Sequence, residues 1–231
     1  GYNALAVNTA ANNTAVGSTA LDANTSGTAN TAVGKSALSA NQTTHENTAV
    51  GYNTLAANTG AYNTAVGSAA LDANTTASYN TAVGKGSLSA NETGTANTAV
   101  GYTALDANTT GASNTAVGRM SLSAVVTGSN NTAVGMNALL LNTASDNTAV
   151  GAYALDANVG GSGNTAVGVS SLGANESGDD NTAVGTNALL VNTASDNTAV
   201  GSLSLDANTT GASNTAVGRS SLGLNESGDD N

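Results

Sequence analysis

Apolar and polar positions recur along this chain in blocks of 16 or 17 residues. Each block contains the word Asn-Thr-Ala-Val-Gly, and a Leu follows the Gly after three further residues. We number every block from the Asn of this word, so that the Gly is position 5 and the Leu is position 9. The first of thirteen complete words begins at Asn13 and the last at Asn214. Such a strict return to the same residues predicts short coils that stack on one another.

Within one block, the pattern predicts two short β-strands. Asn-Thr-Ala-Val is the first, and the second is the stretch of small residue, Leu, variable residue and Ala that begins at position 8. The β-branched Thr and Val favour strands, and the regularly spaced Gly and turn residues exclude a helix. We therefore expect an all-β fold, namely a parallel β-solenoid with coils of 16–17 residues.

The alternation of side chains also predicts which residues fill the coil. In an extended strand, Thr and Val share one face while Asn and Ala share the other. We expect Val16 and Leu21, with their equivalents, to fill the interior, and Gly17 to turn the chain. The Ala at position 3 would then face outward, and an outward row of Ala predicts packing against another copy of the chain. The alternative is that a tight interior needs Ala and that the two faces are exchanged.

Two Asn positions recur along the array. Position 1, which begins with Asn13, is Asn in every word, and position 12, which begins with Asn24, is Asn in all but one coil, where Val125 replaces it. In a parallel stack, identical Asn side chains one coil apart can hydrogen-bond into ladders. A second interpretation is that Asn tolerates left-handed backbone and forms turns. Both roles are structural, and neither is catalytic.

The repeats run through residues 1–231 without a break, which predicts one continuous array of about fourteen coils. Each coil adds about 4.8 Å in a stack of parallel strands, so the array is expected to be a rod. The chain opens at Gly1 in the phase of position 5 and ends at Asn231 in the phase of position 1. We expect both ends to lie in mid-coil, as in a segment of a longer fibre.

Composition narrows the classes of partner. Four basic and fifteen acidic residues give a net charge of −11. This balance argues against nucleic acid, because phosphate contacts need Lys and Arg, and also against anionic membrane surfaces. No apolar run approaches the roughly 18 residues that a membrane span needs, so membrane insertion is not expected. The chain has no Cys and therefore no disulfide.

No residue set stands out as a catalytic or metal site. His45 is the only histidine and has no partners that would make it a base or a ligand. An enzyme needs one specialised active site, whereas this chain has thirteen nearly equivalent coils. We therefore expect neither an enzyme nor a cofactor. Acidic turns such as Gly178-Asp179-Asp180 leave scattered Ca²⁺ binding open, although the nonapeptides of calcium β-rolls are absent. The Thr column at position 2 suggests ice binding as a further hypothesis. The expected inward orientation of Thr disfavours it.

A longer rhythm of about 50 residues groups most coils in threes. All four basic residues occupy position 6, just after the Gly, and two tyrosines share this position. The candidate surface contacts are therefore Lys35, Tyr52, Lys85, Tyr102, Arg119 and Arg219. Acidic residues gather at position 10 and in the long last turn, so a weakly basic edge and an opposite acidic edge are expected. Duplication of three-coil units accounts for the rhythm without a function.

Two stretches resemble known fibre repeats. The words Asn47-Thr-Ala-Val-Gly-Tyr-Asn-Thr-Leu and Asn97-Thr-Ala-Val-Gly-Tyr-Thr-Ala-Leu-Asp-Ala-Asn-Thr-Thr-Gly look like the repeats of phage tail fibres and related surface fibre proteins. They are also similar to the Asn-Ser-x-Ala-Ile-Gly words in the heads of trimeric autotransporter adhesins, whose coils are shorter. The resemblance implies left-handed coils, a homotrimer, and a location outside the cell or on a virion.

These observations predict a structural rod or head segment of an extracellular or virion fibre. Its stacked hydrogen bonds would supply stiffness, and its variable turns would contact a receptor or glycan of a host or cell surface many times over. Two alternatives of other kinds are a self-assembling filament without a receptor and a solenoid that binds ice or ions.

Overall fold

A computed structural model describes residues 1–231 and contains strands and turns but no helix. The chain forms two compact units, Gly1–Asn114 and Thr115–Asn231. Each strand is one Thr-Ala-Val segment of three residues. The strands of the first unit are β1 Thr14–Val16, β2 Thr31–Val33, β3 Thr48–Val50, β4 Thr64–Val66, β5 Thr81–Val83 and β6 Thr98–Val100. Those of the second unit are β7 Thr115–Val117, β8 Thr132–Val134, β9 Thr148–Val150, β10 Thr165–Val167, β11 Thr182–Val184, β12 Thr198–Val200 and β13 Thr215–Val217.

Within each unit the strands pair in parallel, in chain order and with identical residues opposite each other. In the first unit, Thr31 of β2 pairs with Thr48 of β3, and the neighbouring Ala and Val follow in the same register. In the second unit, Thr165 of β10 pairs with Thr182 of β11 in the same way. One strand per coil, stacked on its own copy, defines a β-solenoid. The predicted parallel β-solenoid of 16–17-residue coils is therefore confirmed.

The second predicted strand is wrong, because this segment is a turn. Positions 7 and 9 adopt left-handed backbone in every coil, as at Ser36 (φ 58°) and Leu38 (φ 52°). Two such residues on either side of position 8 bend the chain too sharply for a strand. Backbone groups of this segment still pair between coils. The amide of Leu38 donates to the carbonyl of Thr54 at 3.1 Å, and that of Ser36 donates to Ser18 at 3.0 Å.

The Leu at position 9 explains why the chain accepts this bend. Twelve of these leucines, from Leu21 to Leu205, are fully buried and are the largest side chains of the interior. A left-handed conformation costs roughly 1–2 kcal/mol per residue. Full burial of a Leu side chain contributes about 1.5–3 kcal/mol. Burial of the Leu side chain therefore offsets the cost of the left-handed backbone at position 9 itself, and the predicted interior role of Leu21 is confirmed.

The two faces of the strand are the reverse of the prediction. Ala32 and Ala49, at position 3, are fully buried, whereas Val16 is 58% exposed and Val83 is 37% exposed. Each coil already encloses one Leu, one small residue at position 8 and two Asn side chains, so the strand residue that shares this interior is no larger than Ala. The prediction that Val fills the coil and that Ala packs against another copy is wrong. The alternative, in which a tight interior needs Ala, is confirmed.

The Gly at position 5 allows successive coils to approach closely. Gly17 has a φ of 137° and Gly34 one of 136°, in a region that side chains rarely adopt. A Cβ added to Gly34 would lie 2.2 Å from the carbonyl oxygen of Gly51 in the next coil. Any side chain here would push two coils apart. The Gly column is thus a condition for stacking as well as for the predicted turn.

Position 1 forms an asparagine ladder within each unit. The Oδ1 of Asn13 accepts the backbone amide of Asn30 at 2.9 Å, and the Nδ2 of Asn13 donates to the carbonyl of Gly27 at 2.7 Å. The Asn of each later coil accepts the next backbone amide in the same way, in the first unit and in the second. The predicted ladder is confirmed, and its rungs join side chains to backbone groups of the next coil.

Position 12 forms a second ladder, which is interrupted at the 16-residue coils. Where the ladder is intact, the Nδ2 of Asn24 donates to the Oδ1 of Asn8 at 2.6 Å. In the short coil of the first unit, Asn58 makes no such bond to the preceding coil and keeps only its bond to the carbonyl of Gly60 at 2.7 Å. This is a turn bond that Asn24 also makes, to Gly27 at 3.0 Å. The missing residue also brings the two columns together, so that the Nδ2 of Asn63 donates to the Oδ1 of Asn58 at 3.3 Å. Short coils therefore join the two ladders where the second one breaks.

The second unit has the same interruption. Asn192 donates to the carbonyl of Ala194 at 2.7 Å, and Asn197 donates to Asn192 at 3.2 Å. The Oδ1 of Asn175, one coil earlier, is buried and accepts no hydrogen bond. The longer rhythm of the sequence thus has a structural consequence, because it sets where the second ladder starts again.

Gly84→Ala tests the close approach of the coils. Gly84 has a φ of 138°, and an added Cβ would lie 2.2 Å from the carbonyl oxygen of Gly101. We expect the free energy of unfolding to fall by at least about 1–3 kcal/mol, the usual cost of a strained residue, in a denaturant titration.

Gly86→Ala is the matched control for this substitution. Gly86 has a φ of 64°, and its added Cβ would meet only Cγ2 of Thr103 at 3.6 Å. Ala69, the equivalent residue of the preceding coil, already adopts a φ of 54°. The control should change stability by less than about 1 kcal/mol. Equal losses for the two variants would contradict the role given to position 5.

Asn80→Ala tests the ladder at position 1. Asn80 is fully buried; its Oδ1 accepts the amide of Asn97 at 2.9 Å, and its Nδ2 donates to Gly94 at 2.9 Å. Removal leaves the buried amide of Asn97 without a partner, while the carbonyl of Gly94 keeps its hydrogen bond from the Nδ2 of Asn91 at 3.0 Å. A loss of about 1–3 kcal/mol in unfolding free energy is therefore expected. Thr76→Ala, at an exposed turn, is the control. A loss as small as that of the control would show that the ladder is not needed.

Candidate functional site

The residues predicted to make surface contacts are all exposed. They occupy position 6, directly after the Gly that follows each strand. In the first unit they are Lys35, Tyr52, Lys85 and Tyr102, and in the second unit they are Arg119 and Arg219. Because position 6 carries no interior side chain, the repeat can vary here without a change to the stack. We call the four residues of the first unit the Lys–Tyr edge.

Within the Lys–Tyr edge, the structure brings one predicted pair into contact. The Nζ of Lys35 lies 5.9 Å from the centroid of the Tyr52 ring. A cation at this distance from an exposed ring contributes about 0.5–1 kcal/mol. Lys85 and Tyr102 also occupy position 6 of two consecutive coils, one three-coil unit further along the chain. Arg119 has no such neighbour, because position 6 of the following coil is a methionine.

The carboxylates at position 10 are partly buried beside the interior. Asp72, Asp106 and Asp156 each follow a fully buried Leu. Burial raises the pKa of all three carboxyls, and hydrogen bonds from backbone amides oppose the shift. The charged form is therefore disfavoured in the folded chain.

The acidic turns at the end of the coil have backbone partners. The Oδ1 of Asp179 accepts the amide of Ser162 at 2.7 Å, and the Oδ1 of Asp229 accepts the amide of Ala212 at 2.8 Å. These carboxylates thus tie one turn to the turn of the preceding coil. No group of three or more His, Cys, Asp or Glu side chains is placed to hold a metal ion. The proposal of scattered Ca²⁺ therefore has no preformed ligand cluster to support it.

Sequence reasoning did not foresee the stacked tyrosines of the first unit. The rings of Tyr62 and Tyr79 lie 5.1 Å apart and are inclined by 1°. Both residues precede the Asn of a strand and have positive φ, 60° and 63°. The sequence does contain a signal for this contact: Tyr62 and Tyr79 hold equivalent positions in consecutive coils, and equivalent positions stack in a solenoid.

The outward side of each sheet is the surface that sequence reasoning placed inside the coil. We define the Thr–Val face as the Thr and Val residues of β1–β6 in the first unit and of β7–β13 in the second. Eight of its thirteen valines, from Val66 to Val200, are between 36% and 38% exposed, and those at the ends, Val16 and Val217, are 58% and 71% exposed. None of the four basic and fifteen acidic residues belongs to it.

The threonine hydroxyls of the Thr–Val face have no hydrogen-bond partner within the protein. Threonines in the turns behave differently. The hydroxyl of Thr25 donates to Gln42, and that of Thr75 donates to Glu92. Each face threonine instead presents one free donor and two acceptor sites to the surroundings. The face therefore combines a row of free hydroxyls with a row of isopropyl groups.

Neither a pocket nor a helix long and apolar enough to cross a membrane is found on the rest of the surface. The exposed features include the Lys–Tyr edge, the acidic turns, the stacked rings of Tyr62 and Tyr79, and the Thr–Val face.

The half-buried carboxylates predict a dependence of stability on pH. The unfolded chain titrates these groups near 3.8 and the folded chain at a higher pKa, so the folded chain binds protons more tightly. Stability should increase as the pH falls from 7 through the raised pKa values, and this gain should be complete below 3.8. Asp72→Asn, Asp106→Asn and Asp156→Asn together should raise the Tm at pH 7 and reduce the gain on acidification.

A control removes the same number of charges from exposed places. It combines Glu46→Gln, Glu92→Gln and Glu176→Gln, at side chains that are exposed. Thermal unfolding by circular dichroism between pH 7 and pH 4 compares the two variants. If both variants change the pH profile equally, net charge rather than local burial determines it.

Comparison with known proteins found no match to the chain. This holds for protein-family models, for curated proteins and for solved structures.

Proposed function

We propose that this chain is a non-enzymatic structural segment of an extracellular or virion fibre. The observation that carries the proposal is the repetition of the same Asn, Gly and Leu stack in nearly every coil of both units. Such an arrangement suits a load-bearing element, in which neighbouring coils share stress, better than a protein with one specialised site. The resemblance of the repeat words to phage tail fibres and adhesin heads supports the same role.

The stack supplies mechanical continuity through three sets of bonds. Strand backbones pair coil to coil in register, as from Thr64 to Thr81. The turns add bonds such as Leu71 to Ser87 at 3.1 Å, and the position 1 ladder adds Asn80 to Asn63 at 3.0 Å. Many weak bonds loaded in parallel between neighbouring coils of a unit resist separation, which is what a fibre segment requires.

Contact with a surface is assigned to the Lys–Tyr edge. Exposed Tyr and Lys side chains offer stacking surface and charge, and Tyr is enriched where proteins bind. The edge presents Lys35 and Tyr52 and then Lys85 and Tyr102, so a weak contact at one pair would be repeated at the second. A glycan or a receptor on a host or cell surface is the partner proposed for this edge.

Tyr52→Ser and Tyr102→Ser together test the edge. The repeat itself places Ser at position 6, at Ser18 and Ser68, so the substitution suits the fold. The free energy of unfolding should change by less than about 0.5 kcal/mol, as for ordinary surface substitutions. Binding to a glycan array or to whole cells should fall several-fold, because the stacking surface is lost at both places.

The matched control is Tyr79→Ser, which removes an exposed tyrosine away from the edge. Binding by this variant should equal that of the unaltered chain. If the unaltered chain binds no glycan and no cell surface, the proposal loses its contact role, and a filament without a receptor is favoured.

The homotrimer remains a proposal that rests on the resemblance alone, because the alanine column that first favoured it is buried within its own chain. Light scattering with sedimentation would find three times the chain mass of 22.0 kDa if the segment trimerises. A mass equal to one chain would remove the trimer from the proposal.

A further inference from the structure

We propose that the Thr–Val face of each unit binds ice. This inference does not depend on the fibre role, because it concerns a different surface. Thr and Val of each strand point outward. The inward orientation of Thr that was expected from the sequence, and that argued against ice binding, is therefore wrong.

The chemistry of the face suits a lattice of water. Every strand contributes one threonine hydroxyl without a partner in the protein and one exposed isopropyl group. The hydroxyl can both donate to and accept from water, and the isopropyl group orders the water around it. Ice is uncharged, and the face carries none of the charges of a chain whose net charge is −11.

The geometry of the face is periodic in the way that a crystal requires. Parallel in-register pairing places Thr48 on Thr64 and Val50 on Val66, and the same relation holds at every pair within a unit. The rows therefore repeat at the strand spacing of about 4.8 Å. This distance is close to a repeat between equivalent oxygens in the basal plane of hexagonal ice. A dissolved molecule would meet only a few coils, whereas a lattice plane can meet all the coils of a unit at once.

The choice of Thr at position 2 favours water over a second copy of the chain. Thr and Val have nearly the same shape, so a face built for dry packing would gain apolar area from Val at both positions. The chain instead keeps Thr at position 2 of all thirteen strands. A buried hydroxyl without a partner would oppose dry packing, whereas the same hydroxyl is useful against a water lattice.

The test places one bulky side chain in the face of each unit. Thr64→Tyr and Thr165→Tyr together would interrupt both rows of hydroxyls at outward positions of β4 and β10. The matched control combines Thr76→Tyr and Thr210→Tyr, at exposed turn threonines outside the face. Circular dichroism checks that both variants fold, and light scattering gives their mass.

Thermal hysteresis and partition into a growing ice hemisphere are the measurements. The unaltered chain and the control should lower the freezing point below the melting point and should enter the ice. The face variant should lose most of both effects. A folded, unaltered chain that shows no hysteresis and is excluded from ice would overturn the proposal, and so would equal activity of the face variant.

A second copy on the face is the remaining outcome. It would appear as an oligomer of the unaltered chain that the face variant dissociates, and this result would also overturn ice binding. Neither outcome affects the glycan and cell-binding measurements on the Lys–Tyr edge, so failure of this inference is distinguishable from failure of the proposed function.

Discussion

The hydrogen bonds of the position 1 asparagine hold the successive coils of each unit in register. This side chain makes two bonds along the stack: the Oδ1 of Asn47 accepts the amide of Asn63 in the next coil at 3.0 Å, and its Nδ2 donates to the carbonyl of Gly60 in the last turn of its own coil at 2.9 Å. The side chain is fully buried, so the bonds are shielded from water. They satisfy backbone groups at the point where the long turn enters the strand, and every strand is only three residues long. With so short a strand, the sheet alone could not set the register of the stack.

That interaction also explains why the interior is so small. Two Asn side chains per coil and one Leu occupy most of the space, and the close approach at Gly34 and Gly51 leaves no room between coils. Ala is therefore the strand residue that points inward, and Val is displaced to the surface. The exposed Thr–Val face follows from the packing inside the coil. The proposed binding of ice uses this face.

Much of this fold could be predicted from the residues, and the errors have physical causes. The period of the words was enough for the parallel solenoid, and the two invariant Asn positions were enough for the ladders. Alternation correctly grouped Thr with Val and Asn with Ala, but period two alone does not say which group is inside. The larger side chain was assumed to be buried, whereas the coil was too narrow for Val16. The prediction of a second strand failed because the sequence gives no sign of the left-handed backbone at Leu38. Leu rarely adopts that conformation.

Of the candidate surfaces, the sequence predicted the Lys–Tyr edge but neither the Thr–Val face nor the stacked tyrosines. Exposure of Lys35 and Tyr52 followed from their place at the variable position 6, which makes no demand on the interior. The Thr–Val face was missed because it depended on the inverted assignment. The stacked rings of Tyr62 and Tyr79 were missed because the last turn varies in length, which obscures equivalent places.

Amide hydrogen exchange at the position 1 asparagines shows whether the ladder holds the coils of a unit together. Each of these backbone amides donates to a buried side-chain oxygen of the preceding coil, as Asn97 does to Asn80 at 2.9 Å. If the ladder holds the coils together, the amides of Asn80 and Asn97 should be protected as strongly as the strand amides of Thr81 and Thr98, which donate to backbone carbonyls at 2.8 Å. Rapid exchange of the asparagine amides beside protected strand amides would contradict the account, because the sheet would then persist without the ladder.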